Sequence, residues 1–194
     1  MKILLSISTL LVFSGLWLRV PGQSVQFASE NLTVSVLDSC CTLDGVYSFV
    51  NQGPVAARWS IYYPLLNTKA LPFPDSISIS DNATHDQLQF EKTGDGVLFA
   101  LEVQPRHTRR IRIWYRQRTP ARTFEYILTT TKAWGKPLEL AEFHIIVPDS
   151  LRLISCSPAF DARERKGLRT IYHIKKTTFM PASNLAMTWK RRAQ

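Results

Sequence analysis

A chain of 194 residues that is 45% hydrophobic can bury one substantial core but is too short for two full-sized domains. Its 20% of charged residues excludes a chain held unfolded by charge and low hydrophobicity. The formal charge of +9 favours attraction to anions without dictating a fold.

The first segment, MKILLSISTLLVFSGLWLRVPGQS, carries Lys2, an apolar run from Ile3 to Leu18, and then a polar stretch with Gly22 and Ser24. That layout predicts a secretory signal peptide over residues 1–24, cut before Val25. The alternative is an uncleaved anchor, but spanning a bilayer takes about 20 apolar residues, and this run is shorter and holds serines. Cleavage would remove Lys2 and Arg19 and no acid, lowering the formal +9 by two. The expected location is secreted or periplasmic, which disfavours nucleic acid as a partner. An anionic glycan, a lipid head group or an acidic protein surface remains, with membrane contact only through residues 1–24 if they stay attached.

From there the chain reads as strands: NLTVSVL, GVYSFV, VAARWSIYY, DSISIS, DQLQFEK, GVLFALEV, TRRIRIWYRQ, TFEYILTTT, AEFHIIV, LRLISCS, LRTIYHIKKTTF and LAMTWK. These stretches are rich in β-branched and aromatic residues, and many alternate with a period of two. Turn signals punctuate them at Asp44-Gly45, Gly53-Pro54, Asp81-Asn82, Gly94-Asp95-Gly96 and Pro148-Asp149. Leu65–Pro74 reads as a crossover between sheets and Ser157–Gly167 as a second loop. The expectation is one all-β domain over residues 25–194, an antiparallel β-sandwich with a barrel as the alternative.

The combination of CCTLDGVYSFVNQ, YYPL, YILTT ahead of Trp134, and FMPASNLAMTWK resembles secreted bacterial proteins built on an immunoglobulin-like β-sandwich, many of them without an assigned function. The resemblance implies that fold and carries over no catalytic residue.

Three cysteines are present, Cys40, Cys41 and Cys156. In an exported chain they suggest a disulfide, either Cys41–Cys156 or Cys40–Cys156, since neighbours on a strand point to opposite faces. A metal site is not expected: adjacent cysteines lack the usual spacer and no histidine pair accompanies them in the sequence.

The search for catalytic motifs finds no glycine-rich phosphate loop, no G-x-S-x-G and no H-E-x-x-H. The histidines at 85, 107, 144 and 173 are scattered, and His144 and His173 read as strand residues. No cofactor is implied and enzymatic activity stays open. Asn31-Leu-Thr33 and Asn82-Ala-Thr84 fit the glycosylation acceptor pattern but read equally well as strand-edge and turn residues.

The densest charge is HTRRIRIWYRQR, His107 to Arg118. On a strand, Arg110, Arg112, Trp114, Arg116 and Arg118 share one face, and Ile111, Ile113 and Tyr115 the other. Local pairing predicts Leu101 opposite Ile111 and Ile113 opposite Tyr126, which would give Glu102 and Glu125 as the nearby acids. The arginines make a soluble face; with Trp114 among them they also make a candidate contact surface for an anionic partner. The expected function is therefore an exported, non-enzymatic binding or structural module. The alternatives are a carbohydrate-active hydrolase whose carboxylates meet only in the fold, or a chaperone or subunit of a surface assembly.

Overall fold

A computed structural model describes residues 25–192; the expected signal segment, residues 1–24, lies outside them. The described chain is all β apart from a 3-10 turn at Thr129–Trp134. In chain order the strands are β1 (Val25–Val36), β2 (Cys40–Asn51), β3 (Ala57–Pro64), β4 (Ser76–Asp81), β5 (Phe90–Lys92), β6 (Gly96–Val103), β7 (Thr108–Arg118), β8 (Thr123–Tyr126), β9 (Leu138–Pro148), β10 (Leu151–Ser157), β11 (Ala162–Lys166), β12 (Arg169–Phe179) and β13 (Leu185–Arg191).

They form three sheets. A seven-stranded sheet runs β11-β12-β9-β1-β2-β7-β4, and two three-stranded sheets run β10-β13-β8 and β3-β6-β5. The purely antiparallel expectation needs correction, because β1 pairs parallel with β9; every other ladder is antiparallel. Seven strands in one sheet against two groups of three also differ from the four-and-three plan of an immunoglobulin domain. Leu65–Pro74 does cross between sheets, from β3 to β4. Ser157–Gly167 is not all loop: Ala162–Lys166 forms β11, an exposed edge strand. Its arginines, glutamate and lysine blunt the edge against further pairing.

Period-two alternation explains the layering. One face of the large sheet turns Leu32, Val34, Leu43, Tyr47, Ile79, Ile111, Ile113, Tyr115, Phe143 and Ile145 inward, all buried. They join Ile61, Tyr63, Val97, Phe99 and Leu101 of the β3-β6-β5 sheet, and Phe124, Leu185 and Trp189 of the β10-β13-β8 sheet, in one core. Each such side chain contributes about 1.5–3 kcal/mol when withdrawn from water. A one-residue slip of any strand would exchange this set for the polar face.

Two local pairings expected from the sequence do not form. Although β6 and β7 are consecutive, they lie in different sheets: Leu101 pairs with Trp59 and Ile111 with Tyr47. Asn51 fixes this parting. Fully buried, it donates through Nδ2 to the carbonyls of Val55 (2.8 Å) and Val103 (3.0 Å) and accepts from the Gly53 amide (2.8 Å). The chain leaving β2 and the end of β6 are thus tied to one side chain. Asp44-Gly45, a turn signal in sequence, lies in the middle of the twelve-residue β2. Gly45 is needed there for space: a Cβ would stand 2.5 Å from the Tyr47 hydroxyl oxygen and 2.8 Å from Leu32 Cδ2.

That hydroxyl belongs to a polar cluster sealed inside the core. Tyr126 donates to Glu30 Oε2 at 3.1 Å and lies 3.3 Å from the Tyr47 oxygen, which is 2.8 Å from that of Tyr63. Glu30 is 2% exposed, and its Oε1 has no partner among the described residues. Burial pushes its carboxyl up to about 8, with the Tyr126 hydrogen bond acting the other way. At neutral pH it is mainly a neutral acid, which is how a core holds a carboxyl without a cation.

The cysteines do not pair. Cys40, Cys41 and Cys156 are free thiols, so neither Cys41–Cys156 nor Cys40–Cys156 is formed. Cys41 points into the core, where burial raises its thiol pKa far above the ordinary value. Cys156 sits on β10 in a different sheet from both neighbours; its thiol donates to the Pro158 carbonyl at 3.4 Å, and burial pushes it up to about 11.

Candidate functional site

The opposite face of the seven-stranded sheet is open and polar. Registers align His173, His144, Thr33, Asp44, Trp114 and Ser78 in a row running from β12 to β4. The next row holds Lys175, Glu142, Asn31, Val46, Arg112 and Ser80. Small serines and threonines dominate the β1 and β4 side. The long side chains come from β7.

On β7 the two faces separate as alternation demands. Arg110, Arg112, Arg116 and Arg118 are exposed and Trp114 is half-buried, while Ile111, Ile113, Tyr115 and Gln117 are buried. The arginines are not equivalent. Arg112 grips Asp44 through Nε (2.7 Å) and Nη2 (2.5 Å). Arg116 grips Asp75 through the same atoms at 3.0 Å each. These two-pronged pairs raise both guanidinium pKa values, the hydrogen-bonded carboxylate being the first cause in each case. Asp75 is correspondingly held below the usual carboxylate range by Arg116. Arg109, at the strand's start, binds Asp81 at 2.9 Å. Burial pushes the Asp81 carboxyl up, but the amides of Ala83 and Thr84 and the Arg109 guanidinium together bring it below its ordinary value.

Arg110 and Arg118 make no ion pair among the described residues. The basic block is therefore neutralised along its middle and positive at its two ends. Glu102 and Glu125, the acids expected nearby, lie on β6 and β8 in other sheets. Asp44 and Asp75 take their place, 68 and 41 positions away in sequence from the arginines they hold.

Two shallow clefts flank this strand. One, of about 300 Å³, is lined by Ser78, Ser80, His85, Gln87, Arg112 and Trp114. Gln87 is fixed there by the Ser78 hydroxyl, which donates to its Oε1 at 3.0 Å. The other, of about 410 Å³, is lined by Ser39, Cys40, Pro72, Asp75, Arg116, Arg118 and Pro120. Sequence reasoning reached Arg110, Arg112, Trp114, Arg116 and Arg118 but missed Ser78, Ser80, His85 and Gln87. The alternation of DSISIS, with every second residue a serine, held the signal for the first two.

The chemistry on offer is recognition. The first cleft combines an indole face with hydroxyls, an amide, an imidazole and a paired guanidinium; the second holds an unpaired guanidinium. Asp44, Asp75, Asp81 and Glu142 on this face are each held by a cation, while Glu164 faces His173 Nε2 at 3.5 Å. Among the described residues no group of three or more His, Cys, Asp or Glu side chains converges to hold a metal ion.

No protein-family model matches the chain, and no curated protein matches it in sequence. Its fold is similar to that of a Legionella pneumophila protein described, provisionally, as nutrient-binding: TM-score 0.69 at 13% identity, covering 86% of this chain and 67% of that one. It is also similar to part of an M1 zinc metallopeptidase of Deinococcus radiodurans, with TM-score 0.53 at 12% identity and 86% of this chain covered. The chain spans 43% of that peptidase's length. At these identities the likeness is one of fold.

Proposed function

We propose that this protein is an exported, non-enzymatic binding module that takes an acidic glycan along the β4–β7 side of its outer sheet face. The observation that carries the reading is the arrangement around Trp114: an indole flanked by hydroxyl, amide and imidazole groups in one cleft, with the unpaired Arg118 in the next. A sugar ring offers an apolar face to an aromatic side chain and hydroxyls to its polar neighbours. A carboxylate or sulfate on the adjoining sugar supplies charge for Arg118. From the Arg112–Trp114 level to the Arg116–Arg118 level is about four strand residues, or roughly 13 Å, a span suited to a short oligosaccharide.

The apolar Ile3–Leu18 run supports export, and the Legionella protein's provisional description as nutrient-binding accords with a binding role. A hydrolase would use two carboxylates facing each other across a substrate; around the two clefts Asp44, Asp75 and Asp81 are each engaged by an arginine. The partner-strand alternative loses support from the charged edge at β11.

The test is affinity for acidic and neutral oligosaccharides of equal length across a salt series. Trp114→Ala is expected to weaken binding of the acidic form about tenfold, equivalent to roughly 1.4 kcal/mol. Arg118→Glu is expected to weaken it further and to flatten its salt dependence. Equal affinity for neutral and acidic forms, or no effect of Trp114→Ala, would overturn the reading.

A further inference from the structure

Away from these clefts, two histidines 29 positions apart in sequence meet on the same outer face. β9 and β12 run antiparallel with His144 directly opposite His173. Their Nδ1 atoms are 2.9 Å apart, with ring centroids at 5.1 Å and planes inclined at 78°. Both rings are half-buried, so solvent reaches them. On the far side of His173, Nε2 faces Glu164 Oε1 at 3.5 Å. A carboxylate there favours a proton on Nε2 and leaves the Nδ1 lone pair aimed at His144, as happens when carboxylates orient ligating imidazoles. The contact then requires His144 to donate from Nδ1.

We propose that His144 and His173 form a surface chelate for a divalent late first-row cation, Cu2+ or Ni2+, with Glu164 as the positioning residue and water filling the remaining positions. Metal–imidazole bonds are about 2.0–2.1 Å long, and nitrogens 2.9 Å apart at that distance subtend roughly 90° at the ion once each ring turns its lone pair about 45° off the line between them. That is the cis angle of the tetragonal geometry Cu2+ and Ni2+ prefer. A tetrahedral ion such as Zn2+ needs the nitrogens about 3.3–3.4 Å apart at the same bond length, so the two rings would have to part.

On binding, the cation takes the place of the proton between the rings. His144 shifts that proton from Nδ1 to Nε2, so both imidazoles stay neutral and no net proton leaves the pair. Among the described residues no third His, Cys, Asp or Glu completes a three-ligand group. Glu142, two residues before His144, is held by Lys175 at 2.9 Å and Asn31 at 3.2 Å. With two protein nitrogens the site is open and exchangeable. It lies three strand spacings, about 14 Å, from Trp114, so it is independent of the glycan reading.

The experiment is a Ni2+ or Cu2+ titration of the whole chain, followed through the ring resonances of its four histidines. Paramagnetic broadening is expected at His144 and His173 first, while His85 and His107 stay sharp. His144→Ala and His173→Ala should each weaken binding by about tenfold or more, because one imidazole alone remains. Glu164→Gln should weaken it about tenfold and change the ring 15N shifts that report the His173 tautomer. Trp114→Ala should leave metal binding unchanged. Equal broadening at all four histidines, or undiminished affinity in His144→Ala, overturns the proposal. Should a variant fail to fold, the broadening pattern of the unaltered chain decides alone.

Discussion

The two faces of β1, β2 and β7 solve the same electrostatic problem in opposite ways. Inside, Glu30 meets only phenols: its carboxyl is sealed among Tyr126, Tyr47 and Tyr63 and retains its proton up to about pH 8. Outside, Asp44 and Asp75 meet guanidiniums in two-pronged pairs, and Asp75 is held below its usual range. The same functional group is kept protonated on one side of the sheet and, at Asp75, kept ionised to lower pH than usual on the other. Without water or a cation, a carboxylate can avoid its desolvation cost only by protonation.

The largest expected effect comes from Glu30. Its folded value of about 8 stands above the ordinary 4.5, so the unfolded chain ionises first. Stability is fully present below about pH 4.5 and is lost as pH rises towards 8. At about 1.4 kcal/mol for each unit, the loss at pH 8 is roughly 3–5 kcal/mol. Glu30→Gln should abolish that slope and leave the protein more stable at pH 8, as read by urea denaturation at pH 5 and pH 8. An unchanged slope would mean that the carboxyl is not sealed. The outer acids act in the opposite direction: Asp38, held at about 2 chiefly by its Arg191 hydrogen bond, and Asp75 contribute stability above the ordinary carboxylate range that is lost as pH falls. The two limbs therefore occupy separate pH windows.

A smaller effect is expected at Gly45. A methyl group there must displace the Tyr47 ring, the hub between Tyr126 and Tyr63, and such overpacking costs about 1–3 kcal/mol. Gly45→Ala should lower the unfolding free energy from urea denaturation by that amount. If the cluster is a rigid unit, it should also alter the pH slope set by Glu30.

Smallest of all is the outer pair. Arg112→Ala removes an exposed ion pair worth about 0–1 kcal/mol, so thermal stability should barely move. A large loss would show that the outer face is structural.

Much of this contrast was legible in the sequence, and the rest depended on distant register. HTRRIRIWYRQR announces its two faces because side chains alternate on a strand. Glu30 carried a signal too: it shares parity with Leu32 and Val34, which marks it as inward-facing, although the irregularity between Phe27 and Ser29 interrupts the pattern just before it. The partners were not legible. Local reasoning pairs β7 with its sequence neighbours, whereas Asn51 and the sheet order set it between β2 and β4. Asp44 arrives on β2 and Asp75 on the residue just ahead of β4. For the same reason His144 and His173, unremarkable alone, become a pair only through the β9–β12 ladder.

The central claim is that the outer face around Trp114 is where a partner sits. Its most direct test is a titration of the protein with an acidic oligosaccharide, followed by backbone amide and tryptophan indole resonances. The account predicts that the Trp114 indole shifts first, with Ser78, Gln87 and Arg118 following. The other described tryptophans, Trp59, Trp134 and Trp189, should stay fixed. Shifts confined to another surface, or none at Trp114 while binding occurs, would contradict it.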